Sequence, residues 1–189
     1  MFEFGKKISF RALLVSLAVA LIPGIAAQQI FDSITWGLGI GFIFFLLVFL
    51  GHYFNAVPVE FQYWKVDQNT IKYTDLSNWQ NRILGMLMPP AIHFTTINKA
   101  DIKEISLVGD INKNFKAQMA IPYTAAIGVF YAGIAMVHNP DYIRVQLKDG
   151  TTIDLSIRRD YTYDRTKTIQ KLNQFFVSLD DSGIKIDLP

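Results

Sequence analysis

Cysteine is absent from the 189 residues, which excludes disulfides, thiolate chemistry and cysteine-ligated zinc sites. Charged residues are also few, at 18%, whereas 51% of the residues are hydrophobic, and this balance excludes a disordered chain. The formal net charge of +2 shows no basic excess of the kind that nucleic-acid binding requires. The composition instead predicts membrane segments together with one small folded domain.

Catalytic and metal-binding patterns are lacking as well. The histidines, His52, His93 and His138, are far apart, and no HExxH or comparable metal-ligand spacing occurs. The serines have no nucleophile-elbow context, and the aspartates near the C-terminus are expected to flank or cap a helix. The sequence therefore predicts a protein that is not an enzyme and that holds no metal or cofactor.

Two long runs near the start of the chain carry no formal charge. One reads ALLVSLAVALIPGIAAQQIF, and the other reads SITWGLGIGFIFFLLVFLGHYFNAVPV. A helix of about 20 apolar residues crosses a hydrocarbon core, and the break between the runs is short. We therefore predict that residues 1–55 form a transmembrane hairpin with spans at 12–31 and 34–54. A cleaved signal peptide is the alternative for the first run, which is longer than the usual apolar core of about 7–15 residues.

Basic residues predict how this hairpin is oriented. Lys6, Lys7 and Arg11 precede the first span, the connecting turn has none, and all others follow the second span. Because basic residues accumulate on the cytoplasmic side, both termini are expected in the cytoplasm of a multi-pass protein of the cell membrane.

Small residues recur every four positions within both runs, a spacing that lets helices approach closely. They are Ser16, Ala20 and Gly24 in the first span and Gly37 and Gly41 in the second. The pattern predicts packing between the two helices of the hairpin. Dimerisation through the same residues is the alternative, so the oligomeric state stays open.

Past residue 59 the apolar period changes to two, which is typical of strands. EFQYWKV and TIKYTD flank a turn, and pairing Val66 with Ile71 places Trp64 opposite Tyr73 on the same face. Farther along, INKADIKEISLVGD indicates another strand with an irregular start.

A second hairpin is predicted in DYIRVQLKDGTTIDLSI. Matching its apolar faces gives three pairs: Ile143 with Ile157, Val145 with Leu155, and Leu147 with Ile153. Residues 149–151 then form a three-residue loop in which Gly150 supplies the positive φ.

The segment YDRTKTIQKLNQFFVSL predicts an amphipathic helix that covers a sheet. Asp164 is placed to cap its N-terminus. Its apolar residues recur at helical spacing and are Ile169, Leu172, Phe176 and Leu179.

This order of elements resembles the bacterial pleckstrin-homology-like (PH-like) domains that occur beside membrane spans in small bacterial proteins. The resemblance covers roughly residues 58–180 and rests on INKADIKEI, IGVFYAG, IRVQLKDGTTIDLSI and TIQKLNQFF. It implies that residues 56–189 form a cytoplasmic α+β domain, mainly antiparallel β, with a C-terminal amphipathic helix. The segments NWQNRILGMLMPPAIHF and DDSGIKIDLP depart from the family pattern.

The uncharged stretch MAIPYTAAIGVFYAGIAMV, residues 119–137, is long enough for a third span. A third span would leave similar numbers of basic residues on both sides of the membrane and would split the predicted sheet. Gly128 and Gly133 are spaced like bends in a strand, and Pro122 suits a strand start or edge. We predict a buried strand over 121–136, with a re-entrant or interfacial segment as the alternative.

Two surfaces are candidates for contact with a membrane or a partner. If WQNRILGMLM is helical, Trp79, Ile83, Met86 and Leu87 form one apolar stripe that suits the headgroup region, whereas the alternative is a loop over the core. A basic cluster that suits an anionic leaflet, or that simply faces water, is predicted where the last strand meets the C-terminal helix. Its members are Arg158, Arg159, Arg165, Lys167 and Lys171.

The sequence thus predicts a non-enzymatic protein anchored in the lipid bilayer that presents a PH-like interaction module. The resemblance implies, more narrowly, bacteriocin self-immunity or envelope-stress protection, in which the partner would be another membrane protein or a peptide toxin. An accessory subunit of a membrane transporter or channel is the alternative. No nucleic-acid partner is predicted.

Overall fold

The computed structural model describes residues 1–109, 141–179 and 183–187. The predicted strand over 121–136 and the residue His138 lie outside these ranges.

The chain forms two compact units, which we call the sheet unit and the helical unit. The helical unit consists of Ile8–Pro58 and Leu76–Ile92, and the sheet unit consists of Met1–Lys7, Val59–Asp75 and His93–Pro189. This division differs from a single boundary between residues 55 and 56, because the first residues of the chain join the sheets and Leu76–Ile92 joins the helices.

The helical unit begins with the two predicted apolar helices. The first is α1 (Arg11–Phe31), and the second continues without a break from α2 (Ile34–Leu46) through a π-helical segment (Leu47–Tyr53) into α3 (Phe54–Glu60). Both are long and apolar enough to cross a membrane, which confirms the prediction of two such helices.

A shorter helix, α4 (Trp79–Leu87), also belongs to the helical unit and is followed by a 3₁₀ turn at Pro89–Ala91. The side chain of Asn78 caps α4 by accepting a hydrogen bond from the backbone N–H of Gln80. The helical alternative for the segment WQNRILGMLM is therefore confirmed over these residues.

The first sheet of the sheet unit is antiparallel, with its four strands in chain order. The strands are β1 (Phe2–Phe4), β2 (Trp64–Val66), β3 (Thr70–Thr74) and β4 (Phe94–Asn98). Val66 pairs with Ile71 and Trp64 with Tyr73, as predicted. The sequence analysis did not identify β1, which pairs with β2 and places Phe4 opposite Trp64.

The second sheet has the strand order β7-β6-β5-β8. Its strands are β5 (Ile102–Val108), β6 (Tyr142–Leu147), β7 (Thr152–Ser156) and β8 (Lys185–Asp187). The predicted irregular start of β5 is confirmed by a register shift between Ile102 and Glu104. Val108 pairs with Tyr142, so β5 and β6 lie side by side, whereas β8 runs parallel to β5.

The predicted register of the β6–β7 hairpin is wrong by two residues, since Ile143 pairs with Leu155 and not with Ile157. The loop occupies 148–150, and the N–H of Leu147 donates to the carbonyl of Thr151 at 2.8 Å. Gly150, at φ +90°, takes the last loop position, where three-residue hairpin loops need a left-handed residue. Because the shift is even, each side chain keeps its predicted face.

Two helices complete the sheet unit, α5 (Arg158–Tyr163) and α6 (Arg165–Val177). The predicted cap of α6 is confirmed, because the carboxylate of Asp164 accepts from the N–H of Lys167 at 3.1 Å. The apolar face of α6 packs into a core shared by both sheets, where Phe175 is fully buried. The sequence analysis left Phe175 out of that face.

Candidate membrane interface

The two long helices direct most of their apolar surface outward. Only 22% of the most apolar window of the first helix and 11% of that of the second are buried within the chain. A core helix of a soluble protein would bury most of this surface. Large exposed side chains along these helices include Leu14, Leu21, Ile25, Ile34, Trp36, Leu38, Phe42 and Leu47.

Small residues line the contact between α1 and α2. A Cβ atom at Gly24 would lie 3.1 Å from the carbonyl oxygen of Gly37 and 3.4 Å from the Cα of Gly41. A Cβ at Gly41 would lie 3.3 Å from the carbonyl oxygen of Ala20. Ser16 is buried, and its hydroxyl donates to the carbonyl of Ala12 at 2.7 Å. Four of the residues predicted for helix packing, Ala20, Gly24, Gly37 and Gly41, therefore meet within the hairpin.

The apolar stripe predicted on α4 is buried in part and exposed in part. Met86 is fully buried, whereas Trp79 is 63% and Leu87 is 42% exposed. Ile83 is half-buried. The structure thus places Met86 inside the helical unit and leaves Trp79 and Leu87 exposed, together with Leu84.

Buried contacts fix α4 on the ends of the hairpin. Gly85 is buried, and a Cβ there would lie 2.7 Å from Cδ1 of Ile8, which precedes α1. The guanidinium of Arg82 lies 5.3 Å from the ring centroid of Phe54, the first residue of α3. Its Nε donates to the carbonyl of Leu76 at 2.7 Å, so the charged group also fixes the chain that leads into α4.

The predicted basic cluster is not a single exposed patch. Arg158 is buried and forms an ion pair with Asp141, which removes it from any membrane-facing role. Arg159 lies 4.8 Å from the ring centroid of Tyr163, so it is also engaged within the sheet unit.

The other three basic residues lie on α6. Arg165 is half-buried over the ring of Tyr161, at 5.5 Å, whereas Lys167 is exposed. The ammonium of Lys171 donates to the carbonyl of Glu3 at 2.9 Å. Lys167 is therefore the most open of the five predicted cations.

Strand β1 is held by contacts that the sequence analysis missed. The ring of Phe4 stacks on Trp64 with centroids 4.2 Å apart, and Phe2 meets Phe175 edge-on at 6.3 Å. The N–H of Gly5 donates to the carboxylate of Asp160 at 2.8 Å. The only available signal was the apolar–acidic–apolar alternation FEF, which at three residues is too short to predict a strand.

The same end of the chain changes the chemistry of a buried tyrosine. The pKa of Tyr63 is raised to about 12. Burial is the largest cause, and the Glu3 carboxylate adds to it through a hydrogen bond and through its charge. The ammonium of Lys7 lies 5.1 Å from the centre of the Tyr63 ring. Glu3 thus links β1 to the residue directly before β2.

Among residues 1–109, 141–179 and 183–187, no three histidine, aspartate or glutamate side chains lie close enough together to hold a metal ion. Comparison with known protein families, with curated proteins and with solved structures gives no match.

Proposed function

We propose that this protein is a non-enzymatic membrane protein in which a two-helix hairpin anchors a cytoplasmic PH-like interaction module. The observation that carries the proposal is the pairing of β1 with β2. In the sequence β1 precedes the hairpin and β2 follows it, yet both strands belong to one sheet.

Strand pairing supports a hairpin topology because paired strands share one compartment. Residues 2–4 precede the first helix and residues 64–66 follow the second, so the chain that crosses a membrane must return to its starting side. The pairing also supports retention of the first helix. Cleavage after a signal sequence would remove β1 and leave Trp64 without its stacked partner, Phe4.

The distribution of basic residues supports the cytoplasm as the shared compartment. Two sheets and the helix α6, which packs into their common core, support the proposal of a PH-like module. Within this proposal the module binds another membrane protein or a peptide toxin, in bacteriocin self-immunity or envelope-stress protection.

The topology can be tested with single cysteines, because the chain has no native cysteine. Ser33→Cys lies in the turn between the helices, and Thr151→Cys lies beside the exposed β6–β7 loop. In intact cells a membrane-impermeant maleimide is expected to label Ser33→Cys at once and Thr151→Cys only after permeabilisation. The unchanged chain is the control for background labelling.

Labelling of Thr151→Cys in intact cells would contradict the cytoplasmic module. Equal labelling of both variants before permeabilisation would contradict the spanning hairpin itself, since the two sites would then share one side of the membrane.

A further inference from the structure

Helix α4 carries an apolar outer face that the described residues do not cover. Trp79 is 63%, Leu84 38% and Leu87 42% exposed, and Met88, directly after the helix, is 58% exposed. An exposed apolar face of this kind marks a site of contact with a membrane or with a protein partner.

The opposite side of α4 is fixed, so the direction of the outer face is defined within the helical unit. Met86 is fully buried, and Gly85 packs against Ile8 closely enough that a Cβ would lie 2.7 Å from its Cδ1. Arg82 lies over Phe54 on the inner side as well. Leu84 and Leu87 therefore point away from the hairpin's packing contacts, whereas Trp79 shares the side of Met86 and is exposed at the N-terminal end of the helix.

The contacts of α4 also define its level along the hairpin. Ile8 lies just before α1, which begins at Arg11, and Phe54 begins α3. From Ile34 to Phe54 the second helix rises about 30 Å at about 1.5 Å per residue, which is the thickness of a hydrocarbon core. Ile8 and Phe54 thus lie at the ends of the spans away from the turn.

The charge of α4 suits a boundary between water and lipid. Arg82 is the only ionisable residue in the helix, and its guanidinium donates to the carbonyls of Leu76 and Ser77. A tryptophan at one end of a short apolar helix is typical of the headgroup region, where its ring lies partly in the apolar layer.

We propose that α4 lies in the plane of the membrane, at the boundary between headgroups and acyl chains, on the side where both ends of the hairpin emerge. Its outer face, with Leu84 and Leu87, and the exposed Trp79 at its N-terminal end contact the acyl chains of that leaflet. This inference rests on the proposed hairpin anchor and adds a third, non-spanning membrane contact to it.

The test uses the full chain in vesicles of phosphatidylcholine and phosphatidylglycerol. An environment-sensitive fluorophore is attached to a single cysteine at Leu84→Cys or Leu87→Cys, and its quenching by shallow-brominated lipid and by aqueous iodide is compared. At both positions we expect the brominated lipid to quench the label at least twofold more strongly than aqueous iodide does. Thr166→Cys, on the exposed side of α6, is the reference for a label that iodide reaches.

Preferential quenching by iodide at both positions would overturn the inference, because the face would then lie in water. Protection from both quenchers would overturn it too, because protein and not lipid would cover the face. Leu21→Cys, 62% exposed within α1, separates this result from failure of the anchor. Deep-brominated lipid quenches its label if the hairpin spans, whatever α4 does.

Discussion

The sheet unit buries most of its large apolar side chains, whereas the two long helices of the helical unit expose most of theirs. In the sheet unit Phe4 and Trp64 are buried and stacked, with ring centroids 4.2 Å apart. In the helical unit Trp36 is 59% and Phe42 is 61% exposed, while the close contact between helices is made by Gly24 and its neighbours. The two units of the chain are thus packed in different ways, and each way suits a different solvent.

The difference has a simple physical basis. Water drives large apolar side chains together, so a water-surrounded domain is stabilised by burying aromatic area. Lipid gives no such drive, because its chains are as apolar as the side chains, and helices then associate through small residues that allow close van der Waals contact. The same substitution is therefore expected to act differently in the two units.

The largest expected effect is that of Phe4→Ala in β1. The side chain is 1% exposed and stacks on Trp64, so its removal leaves a cavity in the sheet core. We expect the free energy of unfolding of the sheet unit to fall by about 3–5 kcal/mol. Urea titration of the full chain in mild detergent, followed by near-ultraviolet circular dichroism, measures this change.

Phe42→Ala is the matched control, since it removes the same ring from an exposed position in α2. It is expected to change that free energy by about 0.5 kcal/mol or less. Equal losses for the two variants would contradict the contrast between the units. So would a Phe4→Ala protein with unchanged stability, which would mean that β1 is not part of the fold.

A smaller effect is expected when a side chain is added in the helical unit. A Cβ at Gly24 already approaches the backbone of Gly37 and Gly41, so Gly24→Leu forces α1 and α2 apart. Overpacking of this kind costs about 1–3 kcal/mol. The opening is measured as the rate at which a thiol-reactive dye labels a cysteine at Ala20, which is 8% exposed at the contact; a rise of about tenfold corresponds to about 1.4 kcal/mol.

Gly39→Leu provides the control, because among the described residues no atom beyond its chain neighbours and its own helix backbone lies within 4 Å of a Cβ built there. Its labelling rate should equal that of the Ala20→Cys parent. If both leucine variants label alike, Gly24 and Gly39 are not distinguished by packing within the hairpin, and the alternative of dimerisation through these faces would gain support.

The sequence predicts the parts of this contrast that depend on interactions between residues close together in the chain. The long apolar helices and the Trp64–Tyr73 pair follow from local periodicity, which requires no knowledge of distant residues. The register of the β6–β7 hairpin was missed because both registers place the same side chains on the same face. The left-handed position of Gly150 decides between them.

The missing parts of the site depend on contacts between residues far apart in the chain. Strand β1 is too short to stand out, and it exists through partners more than fifty residues away in sequence, such as Trp64. Because Arg158 stands among other basic residues, the sequence predicts an exposed cation. The structure instead buries it in an ion pair with Asp141. Met86 shares an apolar stripe with Trp79, and only the approach of α4 to Ile8 separates their roles.

The smallest expected effect concerns Tyr63, whose pKa is raised to about 12, first by burial and then by the Glu3 carboxylate. Below pH 10 the phenol is protonated in the folded and unfolded chains, so its contribution to stability is fully present. Above about pH 10 the unfolded chain loses this proton first, and stability falls until the folded phenol ionises near pH 12. We expect the loss to be about 1–2 kcal/mol between these values, after allowance for solvent near the ring.

Tyr63→Phe should lack this component, so the difference in unfolding free energy between the unchanged chain and the variant should shrink as the pH rises from 8 to 11. Glu3→Gln keeps the burial and removes the charge, and its pH profile should lie between the other two. A difference that stays constant over this range would show that Tyr63 is open to water, and that β1 does not cover it.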